Sequence, residues 1–151
     1  MEINMALLLP RDARTVPVAR HICREALREL GVDADCVADI EVALTEACTN
    51  VLEHSRAGEE YEVQVELAER DCVIRVVDRG QGFDADAPAP RADDTAESGR
   101  GIALMRALVD HVKFESRPRD GTVVRLEKQL LYADGAPVTG LSVWRQEGGS
   151  R

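Results

Sequence analysis

Residues 61 to 67 read YEVQVEL, and within them Val63, Val65 and Leu67 alternate with Glu62, Gln64 and Glu66. A period of two gives a strand one apolar and one wet face, as antiparallel pairing allows. A second run, Cys72–Val77, follows across a short polar turn at Glu69–Asp71 and reads as its neighbour. These two strands are the frame on which the remaining segments have to pack.

Further elements follow from punctuation and periodicity. Ile3–Leu9 reads as a strand stopped by Pro10. Thr15 is placed to cap a helix that tolerates Pro17 in its first turn and stops at Gly31, with Val18, Ile22, Ala26 and Leu30 as its buried stripe. A second helix is expected from about Asp35 to His54, and a third from about Gly101 to His111. Strands are expected at Val112–Ser116 and Thr122–Lys128, joined by RPRDG. Between Phe83 and Ser98 the chain is rich in Ala, Asp and Pro and has no apolar period, which predicts a lid or an unstructured segment of about residues 84–98. From Tyr132 onward Gly135, Pro137, Gly140 and the closing GGSR predict a weakly ordered tail, so residues 1–131 are expected to form the single domain and 132–151 the tail.

Composition narrows the partners. The chain has 151 residues, 44% hydrophobic and 31% charged, and a formal net charge of −9. That is an ordinary globular balance, and the negative sign opposes nonspecific attraction to nucleic acid or to an anionic membrane. The start, MEINMALLLP, lacks a basic region ahead of its short apolar run and lacks a small-residue cleavage site, so no signal peptide is expected; no apolar run reaches spanning length. The expected location is the cytoplasm. Cys23, Cys36, Cys48 and Cys72 form no CxxC pair, and buried, reduced thiols are expected.

Three segments carry chemistry. In EVALTEACTNVLEHS, residues 41–55, Glu46, Asn50 and His54 recur every four residues and line the edge of an apolar helix face. Asparagine gains nothing from capping in mid-helix, but its amide oxygen suits Mg²⁺, and Glu46 one turn earlier can take a proton. In DRGQGFD, Asp78 ends a strand and Gly80 and Gly82 follow. A carboxylate only accepts hydrogen bonds, so it suits the exocyclic amine of adenine and repels the carbonyl of guanine, while glycines let a flat base approach the backbone. A turn that merely needs positive φ is the alternative. In ESGRGIALM, Gly99 and Gly101 flank Arg100 at an expected helix start, an arrangement suited to phosphates; a glycine hinge before a core helix is the alternative, and no GxxxxGK[ST] is present.

Taken together, EACTN…H, DRGQGF and SGRGIALM resemble the N, G1 and G2 boxes of the Bergerat (GHKL) ATP-binding fold. Within that superfamily the chain is most similar to the small serine-protein-kinase anti-sigma factors of bacteria, over roughly residues 3 to 130. The resemblance implies an α+β, two-layer α/β sandwich with helices on one face of a mixed sheet. It implies Glu46 as general base, Asn50 as the Mg²⁺ ligand and Asp78 on the adenine amine, with Gly80 and Gly82 shaping that pocket. It implies Gly99, Arg100 and Gly101 around the phosphates, Thr122 at the adenine end, His54 near the phosphates, and Arg20 as a grip on a protein partner.

The activity so implied is transfer of the γ-phosphoryl of Mg-ATP to a serine or threonine of a STAS-type anti-sigma-factor antagonist, by a protein that otherwise holds a sigma factor, most simply as a homodimer joined through the first strand. Direct contact with nucleic acid or membrane is not implied. The alternative is a nucleotide-gated module that sequesters its partner without significant kinase activity.

Overall fold

The computed structural model describes residues 1–54, 60–78, 96–117 and 121–134. In chain order these form β1 (Glu2–Pro10), a 3-10 turn (Ala13–Thr15), α1 (Val16–Glu29), α2 (Ala34–His54), β2 (Glu60–Ala68), β3 (Asp71–Asp78), α3 (Ala96–Leu108), β4 (His111–Arg117) and β5 (Gly121–Gln129). The strands make one sheet in the order β1-β2-β3-β5-β4.

The alternation in β2 decides which face is covered. Val63, Val65 and Leu67 join Cys72, Ile74 and Val76 of β3 and Leu126 of β5 in a core shared with Ala19, Cys23 and Leu27 of α1, with Ile40, Leu44 and Val51 of α2, and with Met105 of α3. The opposite face carries charged groups such as Glu66 and Arg75, which pair at 2.9 Å. The α+β, two-layer class therefore holds, with helices on one side.

The sheet differs from the mixed one expected: every ladder among the described residues is antiparallel. Chain path is the reason. A parallel pair requires a single crossover, usually one helix. Here β1 and β2 are separated by two helices, α1 and α2, which pack on each other. The second helix undoes the reversal made by the first, and β2 returns antiparallel to β1.

Two details of α1 also differ from expectation. Its buried positions are Val16, Ala19, Cys23 and Leu27, whereas Val18 is 47% exposed. Apolar residues occur in both phases of this helix; of the expected stripe Leu30 is buried and Ala26 packs against the core, and the face turned to the sheet is completed by Val16, Ala19, Cys23 and Leu27. Thr15 does precede the helix but makes no side-chain capping bond; its hydroxyl meets the Asp12 carbonyl at 2.7 Å and the Tyr61 hydroxyl at 2.7 Å instead. The helix stop at Gly31 is as read, with φ 81° there.

The third helix starts at Ala96, five residues ahead of the expected start, and so takes in the last three residues of the expected lid. Lys128 fastens its far end, donating from Nζ to the Leu108 carbonyl at 2.7 Å and pairing with Asp39 of α2 at 3.6 Å. A cation at a helix C-terminus also meets the negative end of the helix dipole. Beyond β5, Tyr132 bridges Val32 and the Ala133 amide donates to the Gly31 carbonyl; residues 79–95 and 135–151, which hold the rest of the expected lid and most of the tail, lie outside the described residues. No helix among the described residues is long and apolar enough to cross a membrane.

All four cysteines are free and buried. Desolvation pushes the thiols of Cys23 and Cys48 up to about 12 and raises those of Cys36 and Cys72. A thiolate is the reactive species. The native protein should therefore leave a disulfide reagent such as DTNB unreacted at pH 8, and all four thiols should titrate once urea unfolds the chain; rapid labelling of the native form would contradict the burial.

Candidate functional site

The candidate residues lie on α2, at the end of β3 and in the first turns of α3, and α2 packs against both of the others. Helix α2 packs against α1, α3, β3 and β5. Its apolar face, including Ala43, Leu44, Ala47, Cys48 and Val51, is buried on the sheet. Glu46 and Asn50 fall four residues apart at the margin of that face, and both are half-buried.

Glu46 lies against the start of α3. A Cβ added to Gly101 would stand 2.8 Å from Glu46 Oε2. Glycine at this position is therefore a matter of close approach: it lets the helix sit directly on the carboxylate. The glycine pair is not ahead of the helix, as the sequence reading had it. With α3 starting at Ala96, Gly99, Arg100 and Gly101 are inside its first turns. Glycine within a helix costs about 1 kcal/mol relative to alanine, and the contact with Glu46 gives Gly101 a reason to be there. Arg100 is exposed on the same turn.

Asp78 is the last residue of β3 and is only 1% exposed. It stands opposite Tyr61 in the β2–β3 ladder. Tyr61 is wholly buried and hydrogen-bonds Thr15, which fixes the chain entering α1 beside the strand end. Arg11, just past β1, brings Nη1 to 3.7 Å from Asp78 Oδ1 and donates from Nη2 to the Leu52 carbonyl at 2.8 Å. One guanidinium thus ties the strand-end carboxylate to the last turns of the helix that carries Glu46 and Asn50.

Thr122 is half-buried near the start of β5, next to Val123, whose partner across the ladder is Val77. Thr122 and Asp78 therefore occupy the same end of adjacent strands. Arg20, half-buried on α1, lies elsewhere. It lines an open groove of about 590 Å³ between α1 and α2, together with Arg11, Pro17, Thr45, Thr49 and Glu53. Gly80 and Gly82 lie outside the described residues, as does the His54 side chain, although the backbone of His54 closes α2.

A profile of the histidine kinase-like ATPase domain matches residues 9–128. The chain belongs to that family. Its relatives include the serine-protein kinase RsbW of Halalkalibacterium halodurans, 31% identical with 84% of this chain and 83% of that protein covered. The RsbW of Bacillus velezensis is 29% identical, with 81% and 82% covered. The anti-sigma F factor of Clostridium botulinum is 28% identical, with 85% and 96% covered. Among solved structures, the RsbU and RsbW domains of Rv1364c from Mycobacterium tuberculosis superpose with a TM-score of 0.65 at 26% identity, covering 85% of this chain and 32% of that longer one.

Arg11, Thr15 and Tyr61 did not emerge as site residues from the sequence. Each reaches the site through a contact between distant segments, and no local motif marks it.

The Gly101 contact makes a specific prediction. Gly101→Ala should change the free energy of unfolding in urea by no more than about 1 kcal/mol, since helix propensity gains about that much and the atom it meets is the mobile end of a glutamate. A much larger loss would mean that Glu46 is fixed in place.

Proposed function

We propose that this chain is an ATP-dependent serine/threonine protein kinase that serves as an anti-sigma factor, holding a sigma factor and phosphorylating a STAS-type antagonist of that hold. The observation that carries the reading is the close approach of Glu46 to Gly101, together with a buried strand-end carboxylate, Asp78, in a chain whose relatives are serine-protein kinases and an anti-sigma factor.

The donor set suits the nucleotide and its metal. Asp78 is an acceptor at the end of a strand, buried where a base rather than water would meet it. The Asn50 amide oxygen is a hard oxygen on the helix edge, the donor type that Mg²⁺ prefers, and that ion usually keeps several positions for phosphates and water. When bound, Mg-ATP supplies the phosphoryl group and neutralises charge on the phosphates. Asp78 accepts the adenine amine, and Thr122 sits at the same end of the neighbouring strand. Asn50 would hold the metal. Gly99, Arg100, Gly101 and, at the end of α2, His54 would bound the phosphate side.

Phosphoryl transfer asks mainly for positioning and electrostatic stabilisation. Glu46 orients the acceptor hydroxyl and takes its proton as the new phosphate ester forms and ADP departs. The absence of a Cβ at position 101 leaves the Glu46 carboxylate its place for that task.

The groove beside Arg20 is the proposed partner surface, supported by its two arginines and its open shape. A homodimer joined along β1 belongs to the same proposal: β1 is an edge strand, and Leu8 on it is 58% exposed. The proposed setting is the cytoplasm, where a sigma factor and its antagonist are met.

Isothermal calorimetry with magnesium should show heat on addition of ATP or ADP to the folded protein. With radiolabelled ATP and candidate antagonists, Glu46→Ala should lower transfer by about 10²–10⁴-fold, the usual share of a general base, and leave nucleotide affinity in place. Asp78→Asn should weaken nucleotide binding itself. Binding without transfer to any antagonist would favour a nucleotide-gated module that is not a kinase.

A further inference from the structure

The buried carboxylate of Asp78 has a cation beside it that the chemistry above does not use. Arg11 lies 3.7 Å from Asp78 Oδ1, with 14% of its own side chain and 1% of the aspartate's exposed. That separation is long for a hydrogen bond, so the hold on that oxygen is chiefly electrostatic. The same guanidinium is anchored by its bond to the Leu52 carbonyl at 2.8 Å, so its charge is held at a fixed place.

A carboxylate at this depth is disfavoured in its charged form unless an opposite charge stands near it. Charge matters to the base it would meet. An ionised carboxylate accepts from an amine and repels a carbonyl, whereas a protonated one can donate to the carbonyl. Selectivity for adenine over a 6-oxo purine thus depends on keeping Asp78 ionised.

We propose that Arg11 is a positioning residue for base selectivity: through its fixed charge it keeps Asp78 in the amine-accepting form, and so makes the pocket choose adenine over hypoxanthine. This rests on the nucleotide reading given above. Arg11 acts through Asp78 and touches no reacting atom.

The test compares ATP with inosine triphosphate, which carries a carbonyl where ATP carries the amine, by calorimetry with magnesium on the parent, on Arg11→Gln and on Arg11→Lys, each checked for folding by its thermal melt. The parent should prefer ATP clearly. Arg11→Gln should lose about tenfold in ATP affinity, the usual scale for a hydrogen bond to a charged group, while its affinity for inosine triphosphate stays level or rises. Arg11→Lys, which keeps a positive charge, should retain most of the preference. A general loosening of the site would weaken both nucleotides equally, and that result, or an unchanged preference in Arg11→Gln, overturns the inference. Should Arg11→Gln fail to fold, a folded Arg11→Lys decides it: loss of the ATP preference in that variant overturns the inference as well. A parent that binds neither nucleotide refutes the nucleotide reading first, and the role of Arg11 falls with it.

Discussion

A carboxylate at the end of a buried strand needs company, and the placing of Asp78 governs much of what surrounds it. Moving a lone charge from water into a protein interior costs several kcal/mol even after relaxation. The chain meets that cost from a distance of 67 positions, with Arg11 beside Asp78. Arg11 in turn is held by the last turns of α2, and the approach to α1 is fixed by the hydrogen bond between Thr15 and Tyr61, the residue directly opposite Asp78 in the ladder. The start of α1, the end of α2 and the ends of β2 and β3 are thereby drawn to one place.

The second constraint is the double duty of α2. One side is committed to the core, with Ala43, Leu44, Ala47, Cys48 and Val51 all fully buried. Its small residues allow close approach to the sheet, which leaves Glu46 and Asn50 at the margin instead of in open solvent. Glu46 then meets α3 where Gly101 removes the obstacle. An alanine at 101 would improve the helix and crowd the carboxylate, so local propensity and site geometry pull in opposite directions at that residue. Sites where a local rule is broken in this way are the ones most apt to carry function.

What could be read from the sequence depended on whether the signal was local. The alternation in β2, the apolar face of α2 and the acid that ends β3 are each written within a few residues, and they located both the sheet and the strand-end carboxylate. The start of α3 was placed too late because Gly99 and Gly101 read as breakers, whereas packing against α2 sustains a helix through them. The buried face of α1 is only partly legible, with Ala26 and Leu30 facing the core as read and Val18 facing out, because its apolar residues occupy two phases and only the partner surface selects between them. The antiparallel sheet was hidden because strand direction depends on how many helices intervene, and no single segment records that. Arg11 was invisible for the same reason: its meaning lies in a residue far along the chain.

Charge distribution reconciles an acidic protein with an anionic ligand. The net charge of −9 is a sum over the whole chain, and the field at a pocket is set by what stands nearby, screened beyond about 8–10 Å. Several acidic groups lie on the wet face of the sheet, where Glu66 pairs with Arg75 and Glu127 with Arg125. Arg11 and Arg20 lie on the helical side, in the groove between α1 and α2. Arg11 belongs both to this groove and to the surroundings of Asp78, so a charged group seated in the groove acts on the same guanidinium that faces the strand-end carboxylate. Two ligands that favour different arrangements of one such guanidinium alter each other's affinity by the same factor.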